Sequence, residues 1–423
     1  MITSQKGTRD LLPPETRVWN RVEAVAREVF SLYGYDEIRT PVFEATELFV
    51  RSVGEGTDIV HKEMYTFTDR GGRSVTLRPE NTAGVARAFV EHRLGQAGRP
   101  WKLYYLGPQF RYERPQKGRY REFRQIGAEV LGDPTALIDA EVIVMLFDFL
   151  GRLQFTGLSV SLNSVGTEAT RPAYVEAVRS FFSSNEGSLG EDDRRRLAEN
   201  PMRVLDSKDP AVRLLVASAG FPKLVDLLPA LDPASDAHHR ELKSLLVRKQ
   251  VPFKEDPLLV RGLDYYTRTV FEVTAQGLGA QDALLGGGRY DRLVSDLGGP
   301  KTPGIGFAIG EDRLVEVLPE AFRRAALEGT RPVAVLPVGV PDLHEAFAVA
   351  GELRRGGVAV DLFSSHRGLG SALKAVEKAG LALAVLVGEN ERLRGSVLVK
   401  EMATRTQSEV AREQLVEWLR PRL

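Results

Sequence analysis

One charged hairpin decides the fold of this chain: residues Phe110 to Gln125 read FRYERPQKGRYREFRQ. This stretch carries six basic and two acidic residues, whereas the whole chain has 57 of each and no net charge. Apolar runs at 101–106 and 126–131 predict flanking strands, and Pro-Gln-Lys-Gly supplies a turn between them. Adjacent strands would bring several guanidinium groups, fork-shaped donors suited to phosphate oxygens, to one place. The alternative is a solvated edge hairpin.

Alternation along the second strand favours a binding face over a solvated hairpin. Because side chains on a strand point alternately to opposite faces, one face would hold Arg119, Arg121, Phe123, Gln125 and Glu129. Gln125 and Glu129 would lie roughly 13 Å apart, which leaves room for a nucleotide at one end and a small polar molecule at the other. A buried Glu129 would be costly without a partner, so we expect a ligand to pair with it.

The composition excludes several classes of function. The chain has no cysteine, which excludes disulfides, thiolate metal sites and cysteine nucleophiles, and fits a reducing, cytoplasmic compartment. No apolar run approaches 18 residues and no signal-peptide core precedes the first elements, so we expect no membrane partner. A net charge of zero argues against non-specific coating of nucleic acid, and we expect no DNA partner.

Strand and helix signals divide the chain into two domains. Residues 1–325 show strand patterns on both sides of a charged helical stretch at about 167–247, which predicts a mostly antiparallel α+β domain with a helical insertion. Residues 319–332 are predicted to be a joint. Residues 331–423 show a β-α-β-α-β order, which predicts a small α/β domain with a mostly parallel sheet, closed by a helix at about 410–419.

Local patterns predict the remaining elements of the first domain. Helices are expected at 15–33, 81–92 and 138–153. Strands or extended segments are expected at 38–43, 64–67, 74–77, 158–162, 258–260, 269–274, 283–285 and 305–309.

Three further motifs carry side chains suited to ligand binding. Residues 304–310, GIGFAIG, lead into a predicted helix with Arg313 about one turn in; glycine permits close approach of a flat ligand, and arginine stacks on aromatic bases. Residues 261–266, RGLDYY, combine a guanidinium with two phenols, and residues 286–291, GGGRYD, form another glycine cluster. The alternatives are a solvated helix residue, a packed strand edge and a turn. P-loop, G-x-S-x-G and zinc-ligand patterns are absent from the sequence, so hydrolase and zinc-enzyme functions lack support.

In combination and in order, these motifs resemble those of class II aminoacyl-tRNA synthetases. Residues 38–41, IRTP, resemble the first class motif, which in that class forms the dimer interface. The arginine hairpin resembles the second motif, and residues 304–313 resemble the third. Within the class, similarity to the histidyl-tRNA synthetase family lies in LRPE at 77–80, the hairpin itself, RGLDYY at 261–266 and GGRYD at 287–291. The C-terminal β-α-β-α-β unit resembles that family's anticodon-binding domain.

The resemblance implies a homodimer that runs a two-step reaction. The carboxylate of L-histidine would attack the α-phosphorus of ATP, and the aminoacyl group would then pass to the 3′ end of tRNA(His). Because the substrate supplies the nucleophile, the protein needs to contribute positioning and charge stabilisation. Mg²⁺ would accompany ATP by bridging its β- and γ-phosphates, and no tightly held protein-bound metal is expected.

The resemblance also implies roles for particular residues. Arg111 and Arg261 would be catalytic, holding the α-phosphate from two sides. Adenine would lie between Phe123 and Arg313, and the ATP set is completed by Arg111, Glu113 and Arg121. Glu80 would bind the substrate ammonium, while Glu129, Gln125 and Tyr266 would engage the imidazole. The substrate set is completed by Asn81, Thr82, Arg111, Arg261, Tyr265 and Tyr290.

Two positions depart from the family pattern. Asn81 stands where the family usually has glycine, and because asparagine tolerates left-handed backbone, the turn is expected to survive. Arg124 stands where the family often has histidine, on the strand face opposite Gln125, so the pocket is expected to be unaffected.

Two other hypotheses remain open at this point. One is a class II synthetase for proline, threonine or glycine, which would share the three class motifs but not RGLDYY. The other is a non-catalytic paralogue, a regulatory subunit in histidine biosynthesis. Such paralogues typically lose catalytic residues and the C-terminal domain, whereas this chain keeps Arg111, Arg261, Arg313 and that domain.

Overall fold

The computed structural model describes most of the chain in two compact units, Met1–Arg323 and Arg324–Leu423. The hairpin tip at 115–117 and the RGLD segment at 261–264, which includes Arg261, lie outside the described residues. The described residues are 2–54, 57, 59–114, 118–205, 207, 209–218, 220–257, 259, 265–276, 283–328, 331–364 and 368–423.

The strands of the first unit are β1 (Asp36–Glu37), β2 (Phe43–Ala45), β3 (Tyr65–Thr68), β4 (Ser74–Leu77), β5 (Trp101–Phe110), β6 (Glu122–Leu131), β7 (Ser159–Ser164), β8 (Phe253–Glu255), β9 (Thr267–Thr274), β10 (Ala283–Arg289) and β11 (Gly304–Gly310). Within the described residues, eight of them form one sheet in the order β1-β5-β6-β11-β10-β9-β7-β8. Only the outermost pairs, β1 with β5 and β7 with β8, are parallel there. The prediction of a mostly antiparallel α+β unit is therefore confirmed.

The helices of this unit are α1 (Glu15–Leu32), α2 (Thr46–Val53), α3 (Thr82–Glu91), α4 (Ala136–Arg152), α5 (Arg171–Ser184), α6 (Glu191–Glu199), α7 (Pro210–Ala217), α8 (Leu224–Leu231), α9 (Pro233–Arg248), α10 (Leu293–Asp296) and α11 (Glu311–Glu316). The next helix, α12 (Glu320–Glu328), contains the division between the two units. In the described part of the chain, no helix combines the length and apolarity needed to cross a membrane.

The arginine hairpin forms the centre of the sheet. β5 and β6 pair along their whole length, with Gly107 opposite Gln125, and β11 pairs with the other edge of β6, with Gly306 opposite Glu129. One face of these strands packs on α1 and α4, where the Phe30 ring lies 6.0 Å from that of Phe307. The opposite face carries Gln125 and Glu129 and is available to build a site.

Helices α5 to α9 form the predicted helical insertion between β7 and β8, and α5 to α8 share an apolar core around Val178, Phe182 and Leu228. Local capping explains several of their starts. The Asp209 side chain accepts a hydrogen bond from the Ala211 amide at the start of α7, and Asp232 accepts one from Ser235 at the start of α9.

A second, smaller sheet lies beside α3. Strands β2 and β3 pair with the two edges of β4, which confirms the hairpin predicted at 64–67 and 74–77. The register places six mostly apolar residues on one face of this sheet: Phe43, Ala45, Tyr65, Phe67, Val75 and Leu77.

The second unit contains β12 (Val333–Pro337), β13 (Val360–Leu362), β14 (Leu383–Val387), β15 (Ser396–Glu401), β16 (Gln407–Ala411), α13 (Leu343–Arg355), α14 (Leu369–Lys378), α15 (Glu389–Leu393) and α16 (Leu415–Leu419). The predicted β-α-β-α-β core is present, with β12 parallel to both β13 and β14. β15 and β16 extend the sheet in antiparallel fashion, so the sheet is partly parallel.

One local prediction is wrong: Val410 belongs to β16 and pairs with Val397, so the last helix starts only at Leu415. The segment predicted to be extended at 38–43 enters β2 at Phe43, after Pro41, which lacks the N–H that a ladder needs. The division between the two units falls within the predicted joint at 319–332, inside helix α12. Most of the strand predicted at 258–260 lies outside the described residues.

Candidate active site

Glu129 lies at the centre of the candidate site and is completely buried. Its carboxylate accepts hydrogen bonds from Thr82 Oγ1 at 2.7 Å, Tyr290 Oη at 2.5 Å and Tyr105 Oη at 3.3 Å. These donors come from α3, the end of β10 and β5. The carboxylate also fills the space above Gly306, where a Cβ atom would lie 1.7 Å from Glu129 Oε2. Protein hydroxyls therefore already donate to Glu129, and the expected pairing with a ligand stays a prediction.

The electrostatics of Glu129 are unusual because its three hydrogen-bond donors are neutral. Burial raises the pKa of Glu129 to about 8, and the hydrogen bonds from Tyr290 and Thr82 offset this only in part. Among the described residues, Glu129 has no cationic partner in an ion pair. A buried carboxyl of this kind would gain from a ligand that brings an N–H donor or a positive charge.

Glu80 is the second buried carboxylate, at the start of α3. It accepts hydrogen bonds from the backbone amides of Thr82 at 2.7 Å and Ala83 at 2.9 Å, which explains how a carboxylate is tolerated there. Burial nevertheless raises the pKa of Glu80 above its usual value. Two acidic groups thus lie at one end of the same helix, and Thr82 contacts both.

The structure corrects the reason given for Asn81. Its φ of −113° is not left-handed, so no glycine-like backbone is required at this position. The Asn81 side chain instead accepts a hydrogen bond from Thr40 Oγ1 at 2.7 Å, which ties the start of α3 to the segment at 38–41.

The tyrosines predicted for the substrate set lie together. The Tyr265 ring is 4.8 Å from that of Tyr266 and 5.7 Å from that of Tyr290, between centroids. Burial raises the pKa values of Tyr265 and Tyr290 well above their usual range, which keeps both phenols protonated as donors. The predicted partner Arg261 lies outside the described residues.

Arg111 extends from the end of β5 toward the Glu80 segment. Its Nε donates to the Pro79 carbonyl at 2.8 Å, and its guanidinium carbon lies 5.4 Å from the centre of the Phe123 ring. A carboxylate oxygen of Glu113 lies 3.9 Å from Nη1 of Arg111. The structure thus places Arg111 and Phe123, two residues of the predicted ATP set, in contact.

Arg121 is held by the N-terminal segment. Its backbone amide donates to the Gly7 carbonyl at 2.7 Å, Nη1 lies 3.5 Å from the Lys6 carbonyl oxygen, and Nε donates to the Glu113 carbonyl at 3.3 Å. Its guanidinium also lies over the Tyr112 ring at 3.8 Å. Regular strand alternation does not reach Arg121, because β6 begins only at Glu122.

Arg313 lies in α11 and donates from Nε to the Ala283 carbonyl at 3.2 Å. In this structure Phe123 contacts Arg111, while Arg313 is engaged at the start of β10. The predicted stacking of a base between Phe123 and Arg313 remains a prediction.

Arg124 lies on the opposite side of β6 from Gln125, as expected. It forms ion pairs with Glu23 at 3.0 Å and with Glu311 at 3.3 Å, and its amide donates to Asp312 at 2.8 Å. It therefore ties β6 to α1 and α11 behind the site.

Sequence interpretation missed two residues on the site face of β5. Tyr105 donates to Glu129, and Gln109 is completely buried with neither amide atom hydrogen-bonded to a described residue. Gln125 Oε1 likewise has no partner among the described residues. Alternation back from Arg111 would have placed Gln109, Gly107 and Tyr105 on the same face. Orphaned buried amides are expected where a polar ligand binds.

No group of three or more potential ligands is arranged to hold a metal ion in the described part of the chain. The site consists of acidic, phenolic and amide groups at one end and of arginines with an aromatic ring at the other. It could bind a small cationic molecule next to an anionic, ring-bearing one.

Comparisons with known proteins agree with this arrangement. A family model described as histidyl-tRNA synthetase matches residues 7–314, and one described as anticodon binding domain matches residues 332–422. The histidine–tRNA ligases of Koribacter versatilis and Solibacter usitatus are 49% and 46% identical to the chain, covering 99% and 98% of it and 96% and 98% of their own lengths. The crystal structure of apo histidyl-tRNA synthetase from S. aureus matches with a TM-score of 0.81 at 34% identity, over 99% of both chains. The chain therefore belongs to the histidyl-tRNA synthetase family of class II aminoacyl-tRNA synthetases.

Proposed function

We propose that this protein is a histidine–tRNA ligase that activates L-histidine with ATP and transfers it to the 3′ end of tRNA(His). The observation that carries the proposal is the pair of buried carboxyl groups, Glu80 and Glu129, which receive their hydrogen bonds from hydroxyls and backbone amides. Histidine carries an ammonium group, which would supply a cation, and a ring N–H; within the part of the chain that the structure describes, no ion pair supplies a cation to either carboxyl group. Full-length similarity to histidine–tRNA ligases supports the same substrate.

Amino-acid selection would depend on Glu129. The carboxyl is placed by hydroxyls from three different elements, so a ring that reaches it must present an N–H in one direction. Tyr266 and Gln125 would complete the imidazole contacts, and Glu80 would take the ammonium. A pocket built from hydrogen-bonding groups rejects analogues that lack them by about 10⁴ or more, because its own polar atoms are stranded.

Activation would depend on the arginines. A carboxylate oxygen of histidine forms a bond to the α-phosphorus of ATP as the bond from that phosphorus to the pyrophosphate oxygen breaks, and no proton transfer is required. Arg111, aimed by its bond to the Pro79 carbonyl beside Glu80, would stabilise the charge that develops on the α-phosphate. Arg261 would act from the other side. Mg²⁺ would enter as part of the ATP substrate, bridging the β- and γ-phosphates.

The adenosine of ATP would lie along the hairpin. Phe123 offers a π-face, and Arg313 supplies a cation from α11. Glu113 and Arg121 would border the base and the phosphates, supported by the N-terminal segment at Lys6–Gly7. The second unit would contribute to tRNA binding, since it matches the anticodon binding domain model. We place the enzyme in the cytoplasm.

We further propose a homodimer that uses the small β2-β4-β3 sheet. Phe43 and Phe67 are 59% and 49% exposed on one face of this sheet, which is unusual for large apolar side chains lying together. This face directly follows residues 38–41, the segment that resembles the first class motif. Light scattering on the full chain should give a dimer mass. Phe43→Glu combined with Phe67→Glu should shift the mass toward monomer, while Leu231→Glu, at an exposed position in α8, should not.

The activity is tested by amino-acid-dependent exchange between ATP and pyrophosphate, run with each of the standard amino acids. We expect exchange with histidine alone. Exchange with proline, threonine or glycine would support another class II synthetase, and no exchange with any amino acid would support a regulatory paralogue.

The role of Arg261 has its own test. Arg261→Ala should strongly reduce adenylate formation while leaving binding of free histidine nearly intact. An equal loss of both would assign Arg261 to the architecture of the pocket.

A further inference from the structure

A second buried polar network lies on the other side of the sheet from the candidate site. Its centre is an ion pair between Asp139, in the first turn of α4, and Arg289, the last residue of β10; both side chains are completely buried. Arg289 donates from Nε and Nη2 to the Asp139 carboxylate, with the shortest contact at 2.6 Å. Asp139 also accepts hydrogen bonds from Thr269 at 2.7 Å and His238 at 2.8 Å.

All three nitrogens of the Arg289 guanidinium are used. Besides Asp139, they donate to the backbone carbonyls of Asp133 and Thr135, at 3.0 to 3.1 Å, and to the carboxylate of Asp291. One side chain therefore connects the end of β10 to the loop before α4 and to α4 itself. A planar guanidinium suits this task, because its donors point in fixed directions.

The backbone at this point pairs regularly with β11 but not with β9. Pairing between β9 and β10 is regular from Leu285 to Gly288, which lies opposite Val270, but Arg289 lies opposite Thr267. The skipped residues form a bulge in which Arg268 adopts a positive φ of 50°. Bulges bend a strand and redirect the side chains next to them. The ladder to β9 is interrupted where β10 ends, although pairing with β11 continues to Arg289 and the Tyr290 amide donates to the Gly304 carbonyl at 2.8 Å. Side-chain hydrogen bonds therefore secure this end of β10 on the side of β9.

The residue that follows Arg289 is Tyr290, whose hydroxyl donates to Glu129. Adjacent residues of an extended segment point to opposite faces, so Arg289 points toward α4 while Tyr290 points into the candidate site. Tyr290 is 2% exposed and gives the shortest of the three hydrogen bonds to Glu129. A small displacement at Arg289 would therefore move this hydroxyl relative to the carboxylate.

We propose that Arg289 is a positioning residue for amino-acid selection: its buried ion pair with Asp139 fixes the end of β10, opposite the bulge in β9, so that the Tyr290 hydroxyl meets Glu129. This inference rests on the proposed function and adds a determinant of specificity that does not touch the substrate. Thr269 and His238 hold the Asp139 carboxylate in turn, so strand β9 and helix α9 of the insertion share in the positioning.

The test uses Arg289→Lys in the full-length protein, with steady-state exchange measured against histidine and against ATP. Lysine keeps the positive charge but lacks the planar guanidinium, whose donors point in fixed directions. Since a misplacement of about 1 Å can cost about 10² in rate, we expect the KM for histidine to rise about tenfold. The KM for ATP should stay within about twofold, because the arginines that bind phosphate lie on other elements. Arg292→Lys is the matched control, since Arg292 is about half exposed and pairs with Glu168 at the surface; both KM values should be unchanged.

A double-mutant cycle with Tyr290→Phe separates positioning from a general structural role. If Arg289 acts through the Tyr290 hydroxyl, the effect of Arg289→Lys on the KM for histidine should largely disappear in the Tyr290→Phe background. Additive effects, or equal rises in both KM values, would overturn the inference. If Arg289→Lys does not accumulate as folded protein, Thr269→Val replaces it in the double-mutant cycle. This variant removes one hydrogen-bond donor to Asp139, and we expect a smaller rise in the KM for histidine.

Exchange measured on the wild-type enzyme distinguishes a failure of the proposed function from a failure of the role proposed for Arg289. A wild type without histidine-dependent exchange refutes the proposed function. A wild type with such exchange and an additive cycle refutes only the role of Arg289.

Discussion

Glu129 and Asp139 are two completely buried carboxyl groups with opposite chemical environments. Asp139 receives a guanidinium and an imidazole, and although burial alone would raise its pKa, His238 and Arg289 outweigh burial and lower it. Glu129 receives only hydroxyls from the described residues, and its pKa is raised to about 8. Among the described residues, the carboxylate behind the sheet thus has cationic partners and the one in the site has none. An incompletely neutralised buried acid marks the place where a ligand must bring the missing group.

The substitution Glu129→Gln tests the contrast between the two buried carboxyl groups most directly. The amide keeps the shape but cannot accept a charge-assisted hydrogen bond, so kcat/KM for histidine-dependent exchange should fall by about 10³ to 10⁴. The melting temperature should stay the same or rise, because a costly buried acid is removed. Thermal unfolding measured beside exchange checks both. Retained activity with lowered stability would mean that Glu129 is a structural residue.

The matching substitution behind the sheet, Asp139→Asn, should mainly lower the stability of the folded protein. It leaves Arg289 buried without its counter-ion, and breaking a buried ion pair from one side costs about 3–5 kcal/mol of stability. Urea denaturation of wild type and variant, followed by circular dichroism, measures this loss. If the midpoint did not move, the contrast between the two carboxyls would be lost.

The pH dependence of stability should also distinguish the two groups. The pKa of Glu129 is raised in the folded protein, so its contribution to stability is complete below its ordinary pKa of 4.5 and is lost as the pH rises toward about 8. The lowered pKa of Asp139 acts oppositely, and its contribution is lost as the pH falls below its ordinary value of 3.8. Urea midpoints measured from pH 4 to 8.5 should therefore decline less steeply with rising pH in Glu129→Gln than in wild type. The same slope in both proteins would contradict the raised pKa.

The smallest expected effect separates the phenols that hold Glu129. Tyr290→Phe removes a hydrogen bond of 2.5 Å, and Tyr105→Phe removes one of 3.3 Å. We expect kcat/KM for histidine to fall about tenfold or more in the first variant and by less than about threefold in the second, since long hydrogen bonds contribute little. Exchange kinetics of both variants provide the measurement, and a larger loss in Tyr105→Phe would reverse our ranking of the donors.

Much of the candidate site could be predicted because the alternation of side chains along a strand determines which of them share a face of the sheet. The pattern around Gln125 and Glu129 placed both on one buried face, and the glycines at 304–310 do permit a close approach, in this case by the Glu129 carboxylate. Gln109 and Tyr105 were within reach of the same rule on the preceding strand. Local periodicity carries this information because paired strands share faces.

The network around Asp139 could not be predicted in this way. Asp139 contacts Arg289 and His238 across 150 and 99 residues of sequence, and no local pattern encodes contacts of that range. The role of Asn81 was missed for a related reason: its side chain accepts a tertiary hydrogen bond from Thr40, 41 residues earlier in the sequence. The last helix was predicted too early because pairing with β15 overrides the helical tendency around Val410.

The contacts that Lys6 and Gly7 make with Arg121 have a practical consequence. Gly7 adopts a φ of +90°, and a Cβ atom there would lie 2.7 Å from the Arg121 side chain. A larger residue at position 7 would therefore require the Arg121 side chain or the N-terminal segment to move. Affinity tags or trimming that disturb Lys6 and Gly7 should weaken the enzyme's apparent affinity for nucleotide, even though these residues lie more than a hundred positions before the hairpin. Recombinant versions are therefore better tagged at the other end of the polypeptide.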